Sequence, residues 1–165
     1  MFSCLSWPAA VWLFIAATAL HNLEEAIWLP GFSGFPPLAS VPPRAFRFAA
    51  AALTLLFGAA GALAIGGGAH SLGAYLICGL ALAMSVNAVA PHLALSLARR
   101  SYMPGSATAL ALVLPSGVFL MGKSLGEDYL SPRVFAAAGP ATALLLLLAT
   151  IGLLRVGVLL ERAGA

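Results

Sequence analysis

Charge is what this chain has least of. Asp, Glu, Lys and Arg make up 8% of its 165 residues, where a soluble domain carries roughly 25%. With 62% hydrophobic residues and a mean hydropathy of +1.02, that deficit excludes an ordinary water-soluble globule. It points to an all-α integral membrane protein, one helical bundle over residues 1–165. Lysine is nearly absent too: the formal charge of +3 comes from seven arginines and Lys123. No basic run is long enough for nucleic acid, which removes that class of partner. The two cysteines, Cys4 and Cys78, lie far apart without metal-type spacing, which excludes a disulfide framework and reads as inert thiols. A basic segment ahead of the first apolar stretch is also missing. Ala17-Thr18-Ala19 has the look of a cleavage site, but cutting there would sever the chain from its first span, so residues 1–29 read as mature protein.

What is there is apolar sequence in five blocks, at about 7–29, 46–65, 71–98, 105–122 and 133–160. About 20 apolar residues at ~1.5 Å each cross a hydrocarbon core of roughly 30 Å, so about five transmembrane helices are expected. The tryptophans Trp7, Trp12 and Trp28 stand near the ends of the first block, as an interfacial belt requires. Gly66-Gly67-Gly68 ends the second block, Pro91 interrupts the third and Pro115 lies in the fourth, which makes the fourth the weakest span. Ser131-Pro132 opens the fifth, and Pro140 either kinks that helix or starts it. Arg44, Arg47, Arg99, Arg100, Arg155 and Arg162 fall on one side, against Lys123 and Arg133 on the other. The bias predicts N-terminus out and C-terminus in.

Against that background the first block holds an expensive group. Glu24 and Glu25 sit three and four residues after His21, the trio falling within roughly a 100° arc of one helix face. Each charged group at a helix centre costs about 2.5–3.5 kcal/mol on insertion scales, whereas an interhelical hydrogen bond recovers about 0.6 kcal/mol. A purely structural role therefore does not balance, and the trio reads as a functional site. Two carboxyls sharing one low-dielectric space cannot both ionise, so without a cation one of them is expected to stay protonated. Asn87 and His92 flank Pro91 in the third block. Counted by helical rise from the arginine-bearing side, Glu25 and His21 lie at ~6 and ~12 Å, and His92 and Asn87 at ~9 and ~16 Å. The two polar sets share a depth, which predicts a composite site between the first and third spans. An ideal helix would aim Asn87 and His92 about 140° apart, so a kink or π-type bulge is needed to bring them together.

The remaining features have plainer readings. Residues 30–47, rich in proline and phenylalanine, cannot form regular helix and read as a stiff interfacial connector, with a lid over the bundle as the functional alternative. His70, beside the triple glycine, and Glu127-Asp128 read as solvated loop residues. Arg99-Arg100-Ser101-Tyr102-Met103-Pro104-Gly105 reads as a basic turn that sets topology and starts the next helix.

The order His21-x-x-Glu24-Glu25, then Asn87 and His92, then Arg100-x-Tyr102-x-Pro104-Gly105 with Thr108 and Pro115, resembles the HXXEE-domain proteins. These are small multi-pass bacterial membrane proteins without an established reaction. The resemblance covers about residues 15–122 and implies membership, a place in a bacterial inner membrane and a candidate site but no substrate.

Three chemistries fit the residues. An intramembrane metal site would use His21, His92 and Glu24 or Glu25 as ligands to Zn²⁺, Fe²⁺ or Mn²⁺, with Asn87 orienting them. Metal-free acid–base catalysis on a lipid or isoprenoid would use one protonated carboxylic acid, with His and the other Glu recovering the proton. A proton or cation carrier or sensor would use the same cluster as a relay, though the chain shows no internal repeat and would need to form a homo-oligomer. The favoured expectation is a membrane enzyme whose partners are membrane lipids and a hydrophobic small-molecule substrate.

Overall fold

A computed structural model of the chain describes residues 5–32 and 41–163. Among these residues there is no strand, and the chain is a bundle of five long helical segments. These are α1 (Trp7–Trp28), α2 (Pro43–Gly67), α3 (Leu72–Arg99), α4 (Ser106–Gly126) and α5 (Pro132–Ala163). The last four are long and apolar enough to cross a membrane. α1 has 22 residues, or ~33 Å of helical rise, and stands apart from them because His21, Asn22, Glu24 and Glu25 lower its hydropathy.

Local chemistry sets the helix ends. The Ser6 hydroxyl accepts the Ala9 N–H at 3.3 Å and Pro8 lies in the first turn of α1, while Ser71 accepts the Ala74 N–H at 3.1 Å to open α3. α2 stops within the triple glycine, at Gly67. α5 begins at Pro132 and runs through Pro140 without a break, which decides between the two readings of that proline.

α1 and α3 each pack on α2 and α4, and α5 lies across α2 and α3. Phe14, Phe57, Ile77, Val113 and Leu120 form the centre of the core. The α2–α3 contact is close: a Cβ on Gly73 would lie 2.4 Å from the Ala64 nitrogen, a backbone atom with nowhere to go. Small residues at such crossings are what let membrane helices approach. Gly73→Ala is therefore expected to cost about 1–3 kcal/mol by overpacking, read as a lower thermal midpoint in detergent. An unchanged midpoint would mean a looser crossing than this one.

Two wide turns matter for function. Pro91 cannot donate to the Asn87 carbonyl, and Ala90 before it leaves helical geometry (φ −133°, ψ 112°), so α3 passes through a π-helical segment at Ala88–Leu93. Pro115 has the same effect on α4, where a π-helical segment at Ala109–Val113 precedes it. There the Ser116 hydroxyl covers the loosened turn, donating to the Leu112 carbonyl at 2.6 Å. α4 thus continues through its proline for 21 residues. α3 closes at Arg100 in the left-handed region (φ 49°).

Of the lid-or-connector stretch 30–47, residues 33–40 lie outside the described residues, as does Cys4. Its last part is regular helix after all: α2 starts at Pro43, a proline at the first helical position, and includes residues 43–47. Phe32 and Val41 pack with Leu29, Phe46 and Met103. Cys78 is buried and free, its thiol donating to Ser124 Oγ at 3.2 Å. His70 is exposed, with Nε2 3.5 Å from Asp128 Oδ2. Glu127 pairs with Lys123 one turn earlier in the chain.

Candidate functional site

α1 buries Trp7, Val11, Phe14, Thr18 and His21 on one stripe, the three-and-four spacing of a helix face. His21 therefore inherits the inward direction of the core residues before it, and Glu25 follows one turn on. The bulge at Pro91 turns the buried His92 toward the same point. His92 Nε2 lies 3.1 Å from Glu25 Oε1, and His21 Nε2 lies 3.7 Å from that oxygen. The two imidazoles meet edge to face, with ring centroids 4.9 Å apart. One ligand atom from each of His21, Glu25 and His92 falls within a 4.8 Å circle of mutual distances.

Gly105 forms the floor of this group. Its backbone is left-handed (φ 91°), and a Cβ there would lie 2.6 Å from His92 Cε1 and 3.0 Å from both Glu25 Cγ and His21 Cε1. No side chain fits, and the missing one is what lets the turn press against all three residues. Ser96 pins the same turn to α3 by accepting the Met103 N–H at 3.2 Å.

The adjacent glutamates do not share one space. Glu24 Oε1 accepts from the Tyr102 hydroxyl and from the Gly105 N–H at 2.9 Å. Glu24 Oε2 accepts from the Thr108 hydroxyl at 2.6 Å and the Thr108 N–H at 3.2 Å. Four donors fill the acceptor sites of its two oxygens. Partial desolvation, then the bond to Glu24, raise the Tyr102 phenol above its ordinary value, so it remains a donor at neutral pH. Glu24 accordingly lies outside the converged group. Of the expected metal ligands it is the one whose oxygens are engaged at the start of α4.

The tautomer of His21 follows from its partners. Nδ1 faces the Gly105 carbonyl at 3.2 Å, which can only accept, and Thr108 Oγ1 at 3.1 Å. Nδ1 therefore carries the proton. In the neutral ring Nε2 is then a bare lone pair, buried and without a hydrogen-bond partner. His92 Nδ1 is likewise buried and unpartnered.

Asn87 is half-buried and makes no hydrogen bond to His21, Glu24, Glu25 or His92 among the described residues. It is the last residue of the straight part of α3, and the wide turn that reorients His92 begins after it. Three participants carry roles that sequence reasoning did not assign. Tyr102 and Gly105 stand in the turn read as a topology signal and Thr108 in the first turn of α4 beyond it, and only the Tyr-x-Pro-Gly pattern with Thr108 hinted at more. Asn22, inside the His-x-x-Glu motif, donates to Thr54 Oγ1 at 2.9 Å and ties α1 to α2.

Residues 12–120 match the family described as a protein of unknown function with HXXEE motif, and the chain belongs to that family. The chain is similar to the uncharacterized protein YrkK of Bacillus subtilis (strain 168), at 34% identity over 106 residues. That alignment covers 62% of this chain and 66% of the relative, so the chain spans just under two thirds of the relative's length. No solved structure matches.

Proposed function

As a member of the HXXEE family, the protein is, we propose, an integral-membrane enzyme for a lipid-like or isoprenoid substrate, with His21, Glu25 and His92 holding a divalent metal such as Zn²⁺, Fe²⁺ or Mn²⁺. The observation that carries this reading is the bare His21 Nε2, buried and aimed at Glu25 Oε1 with its opposite nitrogen tied to a carbonyl. Metal-binding histidines are built this way, with the far N–H held by a second group. The separations of 3.1 and 3.7 Å to Glu25 Oε1 also suit the donors. A tetrahedron with bonds of ~2.0–2.1 Å has edges of about 3.3 Å. Two imidazoles and one carboxylate leave at least one position open, and an ion there would supply Lewis acidity.

The substrate class is supported by a groove of about 340 Å³ along the seam of α1 and α4, lined by Ala17, Leu20, Ala111, Leu112 and Phe119. Leu20 adjoins His21, and Ala111 lies one turn beyond Thr108. A single hydrocarbon chain in that groove would carry its polar end to the metal site. Five crossings with the N-terminus outside would place this site near the cytoplasmic face, because it sits at the helix ends that carry Arg44, Arg47, Arg99 and Arg100.

Metal analysis of the detergent-purified chain tests the reading. Near-stoichiometric divalent metal is expected in the wild type, with most of it lost in Glu25→Gln. A wild type that stays metal-free after incubation with Zn²⁺, Fe²⁺ and Mn²⁺ overturns the metal assignment. For the topology, a reporter after Ala165 should be cytoplasmic and one within residues 124–131 external; the reverse pattern refutes the orientation.

A further inference from the structure

The two glutamates of the motif have different work. We propose that Glu24 is a positioning residue that acts on His21 through Thr108 and Gly105, setting which ring nitrogen carries the proton. The inference deepens the reading of His21 as a donor to the site, and rests on that reading only for its consequence in metal affinity.

Proton bookkeeping on the hydroxyl supports it. Thr108 has one O–H hydrogen, and the Glu24 oxygen at 2.6 Å is its closest acceptor, closer than the Gly105 carbonyl at 3.2 Å. Toward His21 Nδ1, at 3.1 Å, Thr108 Oγ1 therefore presents a lone pair. Glu24 also takes the Gly105 N–H at 2.9 Å, which anchors the residue whose carbonyl, in the next peptide unit, is the second acceptor for Nδ1, at 3.2 Å. Both acceptors that face Nδ1 thus belong to residues held by one carboxylate, Thr108 directly through its hydroxyl and Gly105 through its N–H. The chain runs Glu24 carboxylate, Thr108 hydroxyl, His21 Nδ1–H, and it ends in the unpartnered Nε2. Without Glu24 the hydroxyl is free to turn its hydrogen toward the ring, which would favour the tautomer that protonates Nε2 and fills the lone pair the site needs. Glu25 has no such duty: its Oε1 faces the two imidazoles.

The test uses the full chain in detergent, metal-free, with ¹⁵N-labelled histidine, the His21 signals being identified by their loss in His21→Gln. Wild type is expected to show His21 protonated at Nδ1. Thr108→Val, which keeps the shape and removes the hydroxyl, and Glu24→Gln should each give a mixture with Nε2–H. Thr108→Ser should restore the wild-type state. In a parallel titration with Co²⁺, followed by its visible absorption, Thr108→Val and Glu24→Gln should weaken binding by roughly 10–100-fold, the range for groups that orient a metal-binding histidine, and Thr108→Ser should recover it. A structural role alone would lower thermal stability without moving the tautomer. If Glu24→Gln does not fold, the Thr108 pair still decides. Wild-type His21 protonated at Nε2, or a tautomer indifferent to Thr108→Val, overturns the proposal. The expected tautomer shifts in a chain that binds no Co²⁺ would uphold the positioning role while overturning the metal reading.

Discussion

Gly105→Ala is expected to destroy the site and to destabilise the whole bundle end. The residue holds φ at 91°, a region that costs an L-residue about 1–2 kcal/mol. The new methyl group would also stand 2.6 Å from His92 Cε1 and 3.0 Å from Glu25 Cγ and His21 Cε1. Neither ring can retreat, because both histidines are buried among packed helices. Overpacking of this kind adds about 1–3 kcal/mol, so the sum is about 2–5 kcal/mol against a typical total stability of 5–15 kcal/mol. The thermal midpoint in detergent should fall sharply and metal retention should vanish. Gly58→Ala is the matched control: nothing lies within 4 Å of its Cβ position, and in mid-helix the change gains about 0.5–1 kcal/mol of helix propensity. A Gly105→Ala variant that melts with the wild type and keeps its metal would refute the geometry described for the turn.

The second large effect separates metal from acid–base chemistry. Zn²⁺ at 1,000 times its dissociation constant should add about 4 kcal/mol to the native state, a shift on the order of 10 °C for a chain of this size, and a chelator should reverse it. Glu25→Gln and His92→Ala should each abolish that shift, since each removes one of three converged donors. They differ without metal. Glutamine keeps the shape of Glu25, whereas alanine at position 92 leaves a cavity beside the His21 ring, so His92→Ala alone should also cost about 2–4 kcal/mol of metal-free stability, read as a lower midpoint. If the site works instead as a carboxylic acid, Glu25→Gln should hold its midpoint and lose activity, and the chelator should change nothing.

The separation of Glu24 from Glu25 also changes what the motif means. Adjacent acids on one helix look like a shared charge problem. In the bundle one becomes the anchor for the Tyr102 to Thr108 turn and the other faces two imidazoles. The divergence comes from α4, whose first N–H groups need an acceptor and find it in Glu24.

Much of this protein was determined by sequence alone. Apolar block lengths, proline and glycine stops and Ser131 at a helix start are local signals, and they locate the helices to within a few residues. The cost of burying charge singled out His21, Glu24 and Glu25, and helical rise placed them level with His92, which is what brings His92 Nε2 to 3.1 Å from Glu25. Other points were decided only by tertiary structure, because they depend on directions rather than depths. Rise per residue says nothing of azimuth once a proline widens the helix, so the bulge at Ala88–Leu93 turns His92 inward. Nor can a one-dimensional pattern reveal that the turn after α3 folds back over α1. There Gly105 must lack a side chain because three others occupy its place, and Thr108 comes to share its hydroxyl between Glu24 and His21, residues more than 80 positions away.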